Sequence, residues 1–237
     1  MAILTRYPTA PTEPGNRPPL AWASGISPNR RWVPAHLPAD GATLNGWTSQ
    51  YGDLYLPARD ATKPLTVGAE ASIRYALTDG TAGQGLSIDI ADPSTARTVV
   101  VIARPNTGDT IAGGSGRLLR FGNTGYVQQQ DADTISVSSG GGGTVAAVRD
   151  KWHVYAISLP AVGSSDPGVI VVDGSSTTFT YSDATWDASA LRFASSSDTN
   201  SRELRILEIL TSASTFTAAE LILLYAKAKA WYPGLTW

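Results

Sequence analysis

Few residues in this chain have types and spacing suited to chemistry. Glu203, Arg205 and Glu208 fall in one β-prone run, Glu203-Leu-Arg-Ile-Leu-Glu-Ile-Leu210. Glycoside hydrolysis needs two carboxyl groups flanking the scissile bond, one of them kept protonated by its surroundings. Arg205 works against that, because a neighbouring cation holds carboxylates ionised. The run is therefore read as a strand with charges on its solvent side, and no catalytic residue is assigned. The two histidines, His36 and His153, are far apart in sequence. His153 follows Trp152 in a β-prone run and is read as a strand residue rather than a base. A serine nucleophile would need a G-x-S-x-G elbow, and the chain contains none.

Binding chemistry is better represented. An exposed aromatic ring beside planar polar side chains suits a sugar, and two places offer one. Trp186 lies within Asp183-Ala-Thr-Trp-Asp187, and Tyr126 precedes Gln128-Gln129-Gln130. Both are read as loop residues, although a loop tryptophan is more often tucked into the core. No cofactor is implied and no metal site is assigned. Calcium, which takes carboxylate, amide and carbonyl oxygens, is left open at Asp79, Asp89 and Asp92 and at Asp198 with Asn200. Turn acids are common for reasons of their own. Four consecutive glycines, Gly140 to Gly143, lack the GK[ST] ending of a phosphate loop and read as a flexible connection.

The elements that must position these residues are strands. Among 237 residues there are 23 glycines and 15 prolines, charged residues are 16%, and cysteine is absent. Without cysteine there are no disulfides, thiolate metal sites or cysteine nucleophile. A formal net charge of -2 with scattered basic residues argues against nucleic acid, since phosphate binding needs clustered Lys and Arg. No apolar run approaches the length of a membrane span, and MAILTRYPTAP lacks the apolar region of a signal peptide.

From Asp40 onward, short β-prone runs alternate with turn signals. Strands are expected at Asp53–Leu56, Ser72–Ala76, Gly85–Ile90, Arg97–Ala103, Arg117–Phe121, Thr134–Val137, Lys151–Leu159, Val169–Val172, Thr177–Tyr181, Ala190–Ala194 and Glu203–Leu210. Such spacing is that of a sandwich or barrel. Val99-Val-Val-Ile102 reads as a central strand buried on both faces. Asp173-Gly174 between two β-prone runs predicts a type I′ turn. The parity of apolar residues changes from Leu204 and Ile206 to Leu207 and Ile209, which reads as a β-bulge or as burial on both faces. One helix is expected near the C-terminus. Thr217 and Glu220 form a capping box, Phe216 and Leu221 a hydrophobic staple, and Leu221, Leu224, Tyr225, Ala228, Trp231 and Tyr232 one apolar stripe ended by Pro233-Gly234.

Residues 1–40 differ in texture. Eight of the 15 prolines fall there, which excludes helix and disfavours sheet. The segment is expected to be an extended Pro-rich arm preceding a sandwich domain at 41–237. Tyr7, Trp22 and Trp32 are apolar side chains that a solvated tail does not need, and they are expected to anchor the arm on a partner.

The order of motifs resembles the concanavalin A-like (LamG-like) domains found in phage structural proteins. Gly46-Trp-Thr-Ser-Gln-Tyr-Gly52 with Ala61-Thr-Lys-Pro-Leu65, Arg97-Thr-Val-Val-Val-Ile-Ala-Arg-Pro105, Trp152-His-Val-Tyr-Ala-Ile-Ser-Leu159, Val171-Val-Asp-Gly174, and Leu191-Arg-Phe193 and Leu204-Arg-Ile-Leu-Glu-Ile209 with the terminal helix carry the resemblance across about residues 44 to 232. It implies an all-β jelly-roll sandwich of two antiparallel sheets. Laminarinase-like members of this fold carry an E-x-D-x-x-E strand, and Arg205 stands here where the middle acid would be. The resemblance implies a non-enzymatic virion subunit, a head-decoration or minor tail protein assembled in the host cytoplasm. It would dock on capsid or tail subunits through its arm and form a homo-oligomer in the assembly. The alternative is a carbohydrate-binding adhesin that contacts host-surface glycans, and the second alternative a glycoside hydrolase.

Overall fold

The computed structural model describes residues 30–50, 55–81, 83–88, 98–105, 116–121, 125–129, 134–138, 142–147, 150–160, 165–180, 191–194 and 203–237. In chain order the strands are β1 (Arg30–Trp32), β2 (Thr43–Leu44), β3 (Gly46–Thr48), β4 (Tyr55–Pro57), β5 (Leu65–Glu70), β6 (Ile73–Asp79), β7 (Leu86–Ile88), β8 (Thr98–Pro105) and β9 (Gly116–Phe121). They continue with β10 (Gly125–Gln129), β11 (Thr134–Ser138), β12 (Thr144–Ala146), β13 (His153–Ser158), β14 (Gly168–Val172), β15 (Ser175–Phe179), β16 (Leu191–Phe193) and β17 (Glu203–Ser212), followed by the helix α1 (Ala218–Trp231).

Nine strands form one sheet in the order β15-β14-β13-β8-β17-β6-β5-β2, with β1 paired to β17. Six form a second sheet, β12-β11-β10-β9-β16-β7, and β3 pairs with β4 in a small ribbon. Every pairing is antiparallel. The protein is an all-β sandwich with one C-terminal helix, as the sequence implies. Each of the eleven expected strands coincides at least in part with a strand of the described residues. Strands β1, β2, β3, β5, β10 and β12 carry weaker patterns and were not expected. In β5 the cause is Gly68, where a Cβ would fall 2.5 Å from the Tyr75 ring on the neighbouring strand.

The central strands of the nine-stranded sheet, β13, β8 and β17, are buried on both faces. Val99, Val101, Ile206 and Ile209 join the core between the sheets, which includes Trp32, Trp47, Phe121, Phe193 and Tyr155. Val100, Ile102, Leu207 and Leu210 join a second core under α1, with Trp152, Leu221, Leu224, Ala228 and Tyr232. This is the two-sided burial predicted for Val99-Val-Val-Ile102. The parity change in β17 is a bulge, since Ile206 pairs with Ala103 and Glu208 with Ile102, leaving Leu207 as the extra residue. The helix starts as expected. The Thr217 hydroxyl accepts from the Glu220 amide, and the Glu220 carboxylate accepts from the Thr217 amide at 2.8 Å.

The expected boundary at residue 40 moves. From Arg30 the chain belongs to the sandwich: Arg30, Arg31 and Trp32 pair with Thr211, Leu210 and Ile209. Trp32 is fully buried between the sheets, so it is a core residue and not a partner anchor. Leu37 is also in the core, and the Trp47 indole donates to the Val33 carbonyl at 3.1 Å. The physical reason is alternation: in β1 Trp32 faces the inter-sheet core and Arg31 the helix side. Tyr7 and Trp22 lie outside the described residues.

Glu208 does not lie on a solvent face. It is fully buried on the helix side of β17, where Arg31 Nε donates to one carboxylate oxygen and the Tyr232 hydroxyl donates to the other at 2.7 Å. Removing one partner strands the other charge away from water, which costs about 3–5 kcal/mol for a buried ion pair. Arg31→Ala should therefore lower the unfolding free energy by about that much, while Tyr232→Phe should cost about 1–3 kcal/mol. Urea denaturation of the two single variants and the double variant checks this. A double variant whose loss equals the sum of the single losses would show that the three groups do not act as a unit.

Candidate functional site

Alternation along the six-stranded sheet sorts its side chains into two sets. Leu119, Phe121, Val127, Ile135, Val137, Val145 and Phe193 turn inward into the inter-sheet core. The residues between them face outward and are partly exposed: Arg117, Arg120, Tyr126, Gln128, Ser136, Thr144, Ser87 and Arg192. The pairing arranges these in two rows across the strands. Gln128 lies opposite Arg117 on β9 and Ser136 on β11, and Ser136 opposite Thr144 on β12. Tyr126 lies opposite Arg120, Arg120 opposite Arg192, and Arg192 opposite Ser87.

Arg117 and Arg120 are three residues apart and would face opposite sides of a regular strand. The register shift between Val127 and Gln128 makes Leu118 an extra residue on β9 and brings both arginines to the outer face. The Arg117 guanidinium lies over the Tyr126 ring, 4.2 Å from its centroid. That stacking orients the ring by its attraction for the cation. Tyr126, expected in a loop, is thus a strand residue in the centre of a polar, solvent-facing sheet surface. Trp186 lies outside the described residues, as do Asp89, Asp92, Asp198 and Asn200. The three arginines were not singled out in the sequence. Each stands in an apolar strand, and only sheet pairing brings them together.

The other groups considered for chemistry are engaged in the fold. Glu203 and Arg205 lie on the helix side of β17. Arg205 contacts Glu70 at 3.4 Å, and Arg104 binds the same carboxylate oxygen at 2.6 Å. Glu208 has both oxygens occupied, by Arg31 and Tyr232. Of the two glutamates on this strand, Glu208 is thus committed to the fold. Asp79 accepts from the Thr81 amide at 2.9 Å, and the hydrogen bonds from Thr81 hold its carboxyl below the usual range. Among the described residues no three His, Asp or Glu side chains converge on a metal-sized site, and no helix is long and apolar enough to cross a membrane.

His153 is buried on β13 and hydrogen-bonded through Nδ1 to the Asp173 carboxylate. Asp173 and Gly174 have φ of 51° and 96°, the left-handed conformations that the Asp-Gly type I′ turn requires. The second Asp173 oxygen accepts from the Val154 amide at 2.9 Å. The pair thus pins the β14–β15 hairpin to β13. Beside it Tyr155 is completely buried, and its hydroxyl has no hydrogen-bond partner among the described residues.

The comparisons with known proteins concern the fold. No protein-family model matches the chain, and no curated protein matches it in sequence. The chain is similar in structure to a Trypanosoma rangeli sialidase in complex with sialic acid, with a TM-score of 0.59 and 13% identity over 85% of this chain and 33% of that one. A mutant of that sialidase displaying trans-sialidase activity gives 0.62 at 11% identity, over the same shares of the two chains. Domain 4 of AbnA, an extracellular arabinanase from Geobacillus stearothermophilus in complex with arabinotriose, gives 0.52 at 11% identity, over 79% of this chain and 100% of that domain. The chain thus spans about a third of the length of the sialidases. At such identities the likeness is one of fold: a β-sandwich that occurs within carbohydrate-active proteins.

Burial pushes the Tyr155 phenol well above its ordinary 10.0, and the nearby Asp173 charge adds to the shift. An acid with a raised pKa in the folded state keeps its proton while the unfolded chain loses it. Its stabilising contribution is therefore present below about pH 10 and declines above it. Unfolding free energy should fall more steeply above pH 10 in the wild type than in Tyr155→Phe. Equal slopes in the two proteins would contradict the assignment. At neutral pH Tyr155→Phe should be neutral or mildly stabilising, because it removes a buried hydroxyl without a partner among the described residues.

Proposed function

We propose that this protein is a non-enzymatic carbohydrate-binding module whose ligand lies on the outer face of the six-stranded sheet. The observation that carries this reading is the central Tyr126, held by Arg117, with the neighbouring outer row of Gln128 on its own strand, Ser136 on β11 and Thr144 on β12 beside it. A sugar ring offers an apolar face that stacks on an aromatic side chain and hydroxyls that bond to planar or hydroxylic groups beside it. The sheet supplies both and holds them on paired backbone rather than on loops. The proteins of similar fold support the reading: one is a sialidase, and the other is an arabinanase domain solved with arabinotriose. The engagement of Glu208 by Arg31 and Tyr232 supports a binding role over a hydrolytic one.

Titration with a panel of neutral and acidic oligosaccharides should give saturable binding, weakened about tenfold or more by Tyr126→Ala. If no sugar binds saturably, or if Tyr126→Ala binds as well as the wild type, the proposal fails.

The setting we propose for the module is a virion, assembled in the host cytoplasm, in which Tyr7 and Trp22 dock on neighbouring capsid or tail subunits and copies of the module associate in the assembly. The support is the sequence resemblance to phage structural domains. Mass spectrometry of purified particles should find the protein in fixed ratio to the major capsid protein, in many copies for a head decoration and few for a tail. Absence from the particles would remove the virion setting and leave the glycan reading to be judged on its own test.

A further inference from the structure

The helix lacks the polar face that a surface helix usually turns to water. Its 14 residues, Ala218–Trp231, include Glu220, Lys227 and Lys229 as charged side chains and no Ser, Thr, Asn or Gln. Leu221, Leu224 and Ala228 are buried against the nine-stranded sheet. On the side directly opposite stand Ala219, Leu223, Ala226 and Ala230. All four are exposed, and Leu223 keeps 48% of its surface accessible. They follow one another at intervals of four, three and four residues, the alternation of a coiled-coil seam. Charge stands only on the flanks of that seam. Glu220 and Lys227 border one side of it, and Ile222 and Lys229 the other.

We propose that this face is where two copies of the chain meet, their α1 helices packed antiparallel about a two-fold axis between positions 224 and 225. The inference gives a surface to the association of copies named above, rests on that clause of the reading alone, and is independent of glycan binding. A two-fold contact requires a surface complementary to itself. In this register Leu223 of each copy sits opposite Ala226 of the other, and Ala219 sits opposite Ala230. Each large side chain thus meets a small one, and the alanines let the helices approach to about 8 Å. Like flanks adjoin in an antiparallel pair, so Glu220 of one copy lies beside Lys227 of the other, twice by symmetry. The capping box with Thr217 holds that glutamate at the start of the seam. A parallel pair would join unlike flanks, stack Leu223 on Leu223 and bring Lys227 towards Ile222. A helix of 14 residues is about 21 Å long. One face of it buries less than the roughly 800 Å² per partner of a standard interface, so the dimer is weak and forms where copies are concentrated. The outer face of the six-stranded sheet stays uncovered in both copies.

The chain has no cysteine, so single introduced thiols report the register directly. A219C and A230C, each in the full chain, are treated with the mild oxidant diamide separately and as an equal mixture. In the antiparallel pair only positions 219 and 230 come within disulfide reach of each other. The mixture should therefore form linked dimers several-fold faster than either protein alone, with position 219 joined to position 230. Sedimentation equilibrium of the wild type up to about 1 mM should show reversible dimers, with association weakened about tenfold or more by L223E. Thermal unfolding confirms that the variant folds; should it not, the crosslinking decides alone. Equal crosslinking rates in all three samples, or faster linkage in A219C alone, overturn the antiparallel pairing. A dimer that L223E leaves intact overturns the assignment of this face. A wild type that stays monomeric throughout overturns the proposal, and leaves the face to another protein or to residues 1–29 of the same chain.

Discussion

A carboxylate held away from water beneath a helix constrains how this chain can close. Glu208 is fully buried and takes its donors from two elements far apart in sequence: Arg31 on the first described strand and Tyr232 just beyond the helix. Without Arg31 the buried charge loses its counterion, and without the Tyr232 hydroxyl one of its oxygens loses its hydrogen bond. The ion pair also fixes the register of β1. A slip by one residue would carry Arg31 into the inter-sheet core and Trp32 out of it. Strand β17 can accept β1 because β6 covers only its first half, from Glu203 to Ile206, and β1 completes the same edge from Ile209 to Thr211. The longest strand is thus flanked along its whole length by β8 and on the other side by β6 and β1 in succession.

Two bulges account for most of the difference between what the sequence shows and what the fold does. In β17 the extra residue Leu207 places Arg205 and Glu208, three apart, on the helix side. In β9 the extra residue Leu118 places Arg117 and Arg120, also three apart, on the solvent side. A reading by strict alternation assigns each pair to opposite faces. The parity change in β17 announced its bulge, because apolar residues lie on both sides of it. The bulge in β9 gave no such sign, since Leu118 and Leu119 are adjacent and both buried.

What was legible in the chain follows from local chemistry. The Thr217–Glu220 capping box, the Asp173-Gly174 turn and the apolar run at Val99–Ile102 each specify their structure within a few residues, and each is present. What was not legible depends on long-range pairing. Pro34 and Pro38 made residues 30–40 look like tail, yet Arg31 and Trp32 between earlier and later prolines suffice to seat a strand once Leu210 and Ile209 are there to receive it. The candidate site shows the same division. Tyr126 could be singled out as an aromatic beside a glutamine run, but Arg192 reaches it only through Arg120, across a separation of more than sixty residues that no local pattern encodes.

The placement of the chain's entry and exit gives the domain a direction. The chain enters the described sandwich at Arg30, on the nine-stranded sheet, and its last helix packs on the outer side of that same sheet. The arginine-and-tyrosine surface belongs to the opposite sheet. A support that held the helix side would therefore leave that surface turned away from it. Copies arrayed on a common support would present their surfaces in parallel. Weak single contacts with a repetitive polymer could then add as avidity, with no change in the contacts each copy makes.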